Sequence, residues 1–104
     1  MTSSLKEEKI LNLLHMCRKA GKLACGFDAC ERSCLNGQSK LLLVASDLAN
    51  NQKESIRLLA ESCHVKWAKT GTKERLGSAF KIRDLGVVSV DDQNFANGII
   101  KWIS

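Results

Sequence analysis

The residues best placed to do chemistry lie between Gly21 and Lys40: Gly21-Lys22, then Gly26-Phe27-Asp28-Ala29, Arg32, Asn36-Gly37 and Lys40. Gly26 stands where a helix opens, and the first N–H groups of a helix have no partner inside it. Such donors suit phosphates or the edges of bases. The Asp28 carboxylate, when ionised, only accepts hydrogen bonds, so it can take them from amino or imino groups on a base. Arg32, one turn later, offers a planar fork that matches a phosphate or a guanine edge. Lys22 adds a point charge. The same Asp28–Arg32 spacing also fits an ordinary i, i+4 pair on a solvated helix face, worth only about 0.2–0.5 kcal/mol.

Other chemistries find less support. Cys17, Cys25, Cys30, Cys34 and Cys63 form an odd set without a C-x-x-C pair and read as reduced thiols packed as small apolar side chains. Cys30 and Cys34 are four residues apart and can share a ligand on one helix face. No second clustered pair accompanies them, and His15 and His64 are distant in sequence, so no metal and no cofactor is expected. There is no P-loop, dinucleotide fingerprint or Ser-His-Asp order. Nothing near Cys25 or Cys63 marks a base that would activate a thiol. The chain reads as a binding protein rather than an enzyme.

The charge pattern points the same way. The 104 residues carry a net charge of +5, and the excess is concentrated in two blocks. Residues 18–40 hold Arg18, Lys19, Lys22, Arg32 and Lys40 against Asp28 and Glu31. Residues 65–83 hold Lys66, Lys69, Lys73, Arg75, Lys81 and Arg83 against Glu74 alone. Brought together, the two blocks would make a positive surface suited to a phosphate backbone. Only five aromatic residues occur, few for a protein that binds single strands by stacking. No apolar run approaches the length of a membrane span, and the first residues lack a signal-peptide core. A cytoplasmic protein of one domain, residues 1–104, is expected.

The elements that must position these residues are legible from spacing. An amphipathic helix over 5–20 carries Ile10, Leu13, Leu14 and Cys17 on one stripe, with Ser3 or Ser4 as cap and Gly21 as stop. A short extended piece over 23–25 leads to a helix from Gly26 to about Leu35, with Phe27, Cys30 and Cys34 expected inward. The unbroken apolar run over 41–45 predicts a strand covered on both faces. A helix capped by Asn50 or Asn51 runs to about Cys63, and a short strand spans 65–68. Thr72 caps a helix over 73–80, residues 85–90 form the last strand, and Asp91 or Asp92 caps a final helix to about Ile103. Such alternation predicts an α/β sandwich with helices on both faces of a short, mostly parallel or mixed sheet.

These pieces, in this order, resemble the ribosomal "L-seven-Ae/L-thirty-e" family, and within it the small bacterial YlxQ-type branch. The resemblance runs from about Leu11 to Ile103 and rests on Gly21-Lys22, the helix start at Gly26, and the strand K-L-L-L-V-A-S-D at 40–47. It rests also on V-K-W-A-K-T-G-T-K-E-R-L-G at 65–77 and D-D-Q-N-F-A-N-G-I-I at 91–100. It implies a three-layer α/β/α sandwich with a central four-stranded mixed sheet, and binding of RNA kink-turns. The family signature begins Gly-x-Asn-Glu, with Lys three residues later and Arg-Gly at the helix end. Here Gly26 keeps the glycine, Asp28 stands for the Asn, Ala29 for the Glu, Arg32 for the Lys and Asn36 for the Arg, while Gly37 keeps the last glycine. The chain thus departs from the pattern at the two base-reading positions.

Taken together, these readings assign a structured RNA partner, a kink-turn or ribosomal RNA, with possible ribosome association and no DNA specificity. The backbone at Gly26 and Phe27 and the Asp28 side chain, with Ala29 beside it, meet base edges. Lys22 and Arg32 hold phosphates, and Thr70, Gly71, Thr72 and Lys73 close over an unstacked nucleotide. A competing reading is a protein-interaction module that kept the fold and lost RNA, with Trp102 as anchor. The RNA reading requires that the Gly26 helix tip and the 70–72 connection become neighbours on a cationic ridge.

Overall fold

The structure is a computed structural model that describes residues 5–103. Along the chain it forms α1 (Leu5–Lys19), β1 (Leu23–Cys25), α2 (Phe27–Leu35), β2 (Leu41–Val44) and α3 (Asn50–Ser62). Then follow β3 (Lys66–Lys69), α4 (Lys73–Phe80), β4 (Val87–Val90) and α5 (Gln93–Ile103). The strands lie in the order β1-β4-β2-β3. β4 is antiparallel to both β1 and β2, whereas β2 and β3 are parallel. This is the mixed four-stranded sheet that the family resemblance implied.

Side chains of β2 point alternately to two cores, which explains a strand with no polar alternation. Leu41 and Leu43, with Val88 and Val90, meet Ile10, Leu14 and Cys17 of α1, Leu76 and Phe80 of α4, and Ala96 and Ile99 of α5. Leu42 and Val44, with Val87, meet Cys30 and Cys34 of α2 and Ile56 and Ala60 of α3. The layers are therefore α1, α4 and α5, then the sheet, then α2 and α3. Each fully buried leucine of β2 contributes about 1.5–3 kcal/mol.

The one polar residue within β4, Ser89, faces the α2/α3 side and is wholly buried. Its Oγ donates to Asp91 Oδ1 at 2.7 Å and accepts from Ser39 Oγ at 2.7 Å, while Ser33 Oγ donates to Asp91 Oδ2 at 2.8 Å. A buried hydroxyl without such partners would cost about 1–3 kcal/mol.

Most helix ends follow the sequence reading. Thr72 Oγ1 accepts from the Arg75 N–H and Asp92 Oδ2 from the Phe95 N–H, each at 3.2 Å. Ser3 and Ser4, the expected caps of α1, lie outside the described residues. Three expectations need correction. Ala49, not Asn50 or Asn51, precedes the first turn of α3, because Asn51 spends its side-chain oxygen on the adjacent Gln52 N–H. Strand β3 begins at Lys66, since the Val65 N–H is taken by the Ala60 carbonyl at the end of α3. Phe27 is 41% exposed, because the first position of α2 projects beyond the core that Cys30 and Cys34 enter.

The outer strands of the sheet are β1, three residues long, and β3, whose Lys66 and Lys69 are exposed. Among the described residues, no helix is long and apolar enough to cross a membrane.

Candidate nucleic-acid interface

The end of the sheet where β1, β2 and β3 finish is laced together by backbone hydrogen bonds. The Gly26 N–H donates to Val87 and the Ala45 N–H to Gly86. The Thr70 N–H donates to Val44 and the Ser46 N–H to Gly71, and all four bonds lie between 2.8 and 3.0 Å. Helices α2, α3 and α4 each start at this edge. Three helix N-termini thus converge on it, and each brings a partial positive charge.

Their donors are not equally free. The start of α4 is occupied: Thr72 takes the Arg75 N–H, and Asp47 Oδ1 takes the Lys73 N–H at 2.9 Å. The start of α2 has no side-chain cap. Gly26 there has φ of 93°, a conformation side chains disfavour, and a Cβ placed on it would meet nothing within 4 Å. The chain turns sharply into α2, and the space beside Gly26 is open. The start of α3 likewise lacks a side-chain cap.

The sequence-predicted residues divide between the two ends of the sheet. Gly26, Phe27, Asp28 and Ala29 share the convergent edge with Thr70, Gly71, Thr72 and Lys73. The two groups follow the outer strands, three strand spacings or about 14 Å apart. They are neighbours on one edge rather than in contact. Thr70 is buried, and Gly71, Thr72 and Lys73 are half-buried. Arg32 is exposed about 9 Å along α2 from Gly26.

Lys22 and Asn36 lie at the opposite end. The Lys22 carbonyl accepts from the Asp91 N–H, and Ser33 in the last turns of α2 reaches the same Asp91. Lys40 is there too, its N–H bonded to Val90. Residues close in sequence are separated because β1 and α2 run antiparallel, with ends about 7 Å and about 12 Å apart. Asp28 and Arg32 form no ion pair with each other.

The edge is mixed in charge rather than a continuous cationic ridge. Asp28, Asp47 and Asp84 stand there with Lys69, Lys73 and Arg83. Asp47 and Asp84 escaped the sequence reading because only the folded chain brings them to the edge. Asp47, Lys73, Arg83 and Asp84 line one groove of about 560 Å³. A second groove of about 340 Å³ runs from Gly26 and Phe27 past Leu48 and Gln52 to Asp84 and Gly86. Some cations of the two blocks have internal work. Arg75 Nε lies 3.9 Å from Glu7 Oε1, and Arg18 Nη1 donates to the Phe80 carbonyl at 2.9 Å.

The remaining candidates are settled by packing. Cys17, Cys30 and Cys34 are buried, and burial raises the pKa of each. All five cysteines are free thiols. Among the described residues, no group of three or more His, Cys, Asp and Glu could hold a metal ion. His15 packs against Phe80 with the rings tilted by 47° and their centroids 4.9 Å apart. Trp102 is half-buried against the first core with Lys9 Nζ 6.0 Å from its ring, so it is no free anchor.

Comparison with known proteins finds similar sequences and similar folds. The model of the ribosomal protein L7Ae/L30e/S12e/Gadd45 family matches residues 8–99. The RNA-binding protein YlxQ of Bacillus subtilis (strain 168) is 28% identical over 91 residues, which cover 88% of this chain and 91% of that protein. A Bacillus halodurans protein of unknown function superposes with a TM-score of 0.83 at 24% identity, over 90% of this chain and 95% of that one. The Giardia lamblia 15.5kD RNA binding protein superposes with a TM-score of 0.75 at 19% identity, over 98% of this chain and 88% of that one.

Proposed function

The chain belongs to the ribosomal protein L7Ae/L30e/S12e/Gadd45 family, and from that premise we propose that it binds structured RNA at the sheet edge where α2, α3 and α4 begin. The observation that carries the reading is the uncapped, glycine-opened start of α2 on that edge. Free N–H donors at the positive end of a helix receive phosphate or base oxygens without rearrangement. Two similar proteins are named as RNA-binding, which supports the class of ligand.

The finer reading is recognition of a kinked or sharply bent RNA by a ribosome- or translation-associated protein in the cytoplasm. Gly26 to Ala29 meet base edges, Arg32 holds a phosphate, and the 70–73 connection, about 14 Å away, receives the displaced strand. Lys22 and Asn36 serve only an RNA that continues along α2 to its far end. The support is the pairing of a rigid helix tip with a small-residue loop on one edge, a spacing that a straight duplex does not require.

The test is titration of a kink-turn RNA against a plain duplex of equal length. Tighter binding of the kinked RNA is expected, with a strong loss for Arg32→Glu; equal affinities would remove the kink reading. Asp28→Asn combined with Ala29→Glu restores the family signature and should widen the preference for the kink.

A further inference from the structure

We infer that the seam between α1 and α4 is a second RNA-contacting surface, which grips the backbone of a stem flanking the primary site; this rests on the RNA-binding reading above. A shallow groove of about 530 Å³ runs along that seam, and its lining includes His15, Arg18, Lys19, Phe80 and Lys81 but no acidic residue. It adjoins the mixed groove, which shares Lys81 and Ile82 but also holds Asp47, Glu74 and Asp84. The groove wall is rigid. Arg18 donates to the Phe80 carbonyl at 2.9 Å and lies 5.5 Å from the Phe80 ring centroid, and the His15 ring packs at a tilt against the same ring.

Lys81 joins this groove to the end of α4. It ends α4 in the left-handed conformation, with φ of 58°, and its N–H donates to the Gly77 carbonyl. Glycine serves that position with least strain. A long cationic side chain has been placed where the backbone disfavours any side chain, and it is exposed beside Lys19 and Arg18. His64 and Asp84 share this conformation, so what counts for Lys81 is its charge and its place in the groove lining.

The position fits a flanking stem. Lys73, at the 70–73 connection, and Lys81 are joined by α4, so they are about 12 Å apart along the helix. Gly77 lies between them but is buried against the Ile82 carbonyl, so the path follows the exposed side of α4 past Glu74 and Ser78. RNA that leaves the primary site along α4 therefore reaches Lys81, then Lys19 and Arg18. It meets Lys81 and Lys19 as phosphate contacts and releases counterions at each, while Arg18, bonded to the Phe80 carbonyl, adds its charge.

The experiment compares two kink-turn RNAs, one with stems trimmed close to the kink and one with a stem longer by about one helical turn. The native chain is set against Lys19→Gln/Lys81→Gly, with Arg32→Glu as the control for the primary site. Native protein should bind the longer RNA more tightly and with a steeper salt dependence. The double variant should lose that gain, with a log–log salt slope smaller by about two, and keep its affinity for the trimmed RNA. Lys81→Gly should also raise the melting temperature, so the loss cannot come from misfolding. Arg32→Glu should weaken both RNAs. Equal slopes for native and double variant on the longer RNA overturn the proposal and leave the groove to an acidic protein surface. A length effect that depends on Lys81, without preference for the kink, upholds the groove and removes only the kink reading.

Discussion

The Asp47 carboxylate accepts the backbone N–H of Lys73 at 2.9 Å, so the turn that leaves β2 fastens the start of α4. Two segments distant in sequence are thereby fixed at the edge assigned to RNA. The carboxylate also places a negative charge there, and the two effects can be separated.

Asp47→Asn keeps an oxygen acceptor and removes the charge. Its unfolding free energy should stay within about 0.5 kcal/mol of the native value, while RNA affinity rises about threefold at low salt. Asp47→Ala removes the acceptor as well and should cost about 0.5–2 kcal/mol. Urea denaturation and RNA titration on the same samples check both.

Gly77→Ala should destabilise the fold by about 1–3 kcal/mol, an overpacking cost. A Cβ at this position would lie 2.5 Å from the Ile82 carbonyl oxygen, which belongs to backbone and cannot rotate away. The Ile82 N–H in turn donates to the Gly77 carbonyl, so the loop after α4 is held against the helix. A lower urea midpoint with an unchanged m-value is the expected result.

Cys17 contributes to an alkaline limit on stability. Burial first, then the charges of Asp91 and Asp92, push its thiol up to about 11. Its Sγ also donates to the Lys22 carbonyl at 3.1 Å, a bond the thiolate cannot make. The unfolded chain loses this proton at a lower pH than the folded one. Stability is therefore fully present below about pH 9 and is lost as pH rises toward 11. Cys17→Ala should lessen the decline of the urea midpoint across that range, the rest coming from Cys25, Cys30 and Cys34, which burial also raises. Alkylation of the native protein near neutral pH should reach half-buried Cys63 well before Cys17 or Cys30.

Where local spacing decides, the sequence was a sufficient guide. The apolar run of β2 announced burial on both faces, and Thr72 and Asp92 announced helix starts that they do cap. Tertiary geometry accounts for what was hidden. Phe27 shares a helical stripe with Cys30 and Cys34, yet its place at the tip of α2 leaves it without a core to enter. Lys22 lies four residues from Gly26, and a strand carries it to the far end of the sheet. Asp47 and Asp84 reach the candidate site through turns that no periodicity reports. The helix start was visible in the sequence, whereas the charge balance around it required the fold.

The sheet keeps both of its margins uncovered by further strands, and such margins invite another chain to add on. Here one margin is only three residues long, and the other sets a lysine at each end of its four. An incoming strand would find too short a template on one side and would bring its own copies of Lys66 and Lys69 against those already present on the other. The repulsion discourages stacking into fibres, and the same lysines add to the positive field of the molecule.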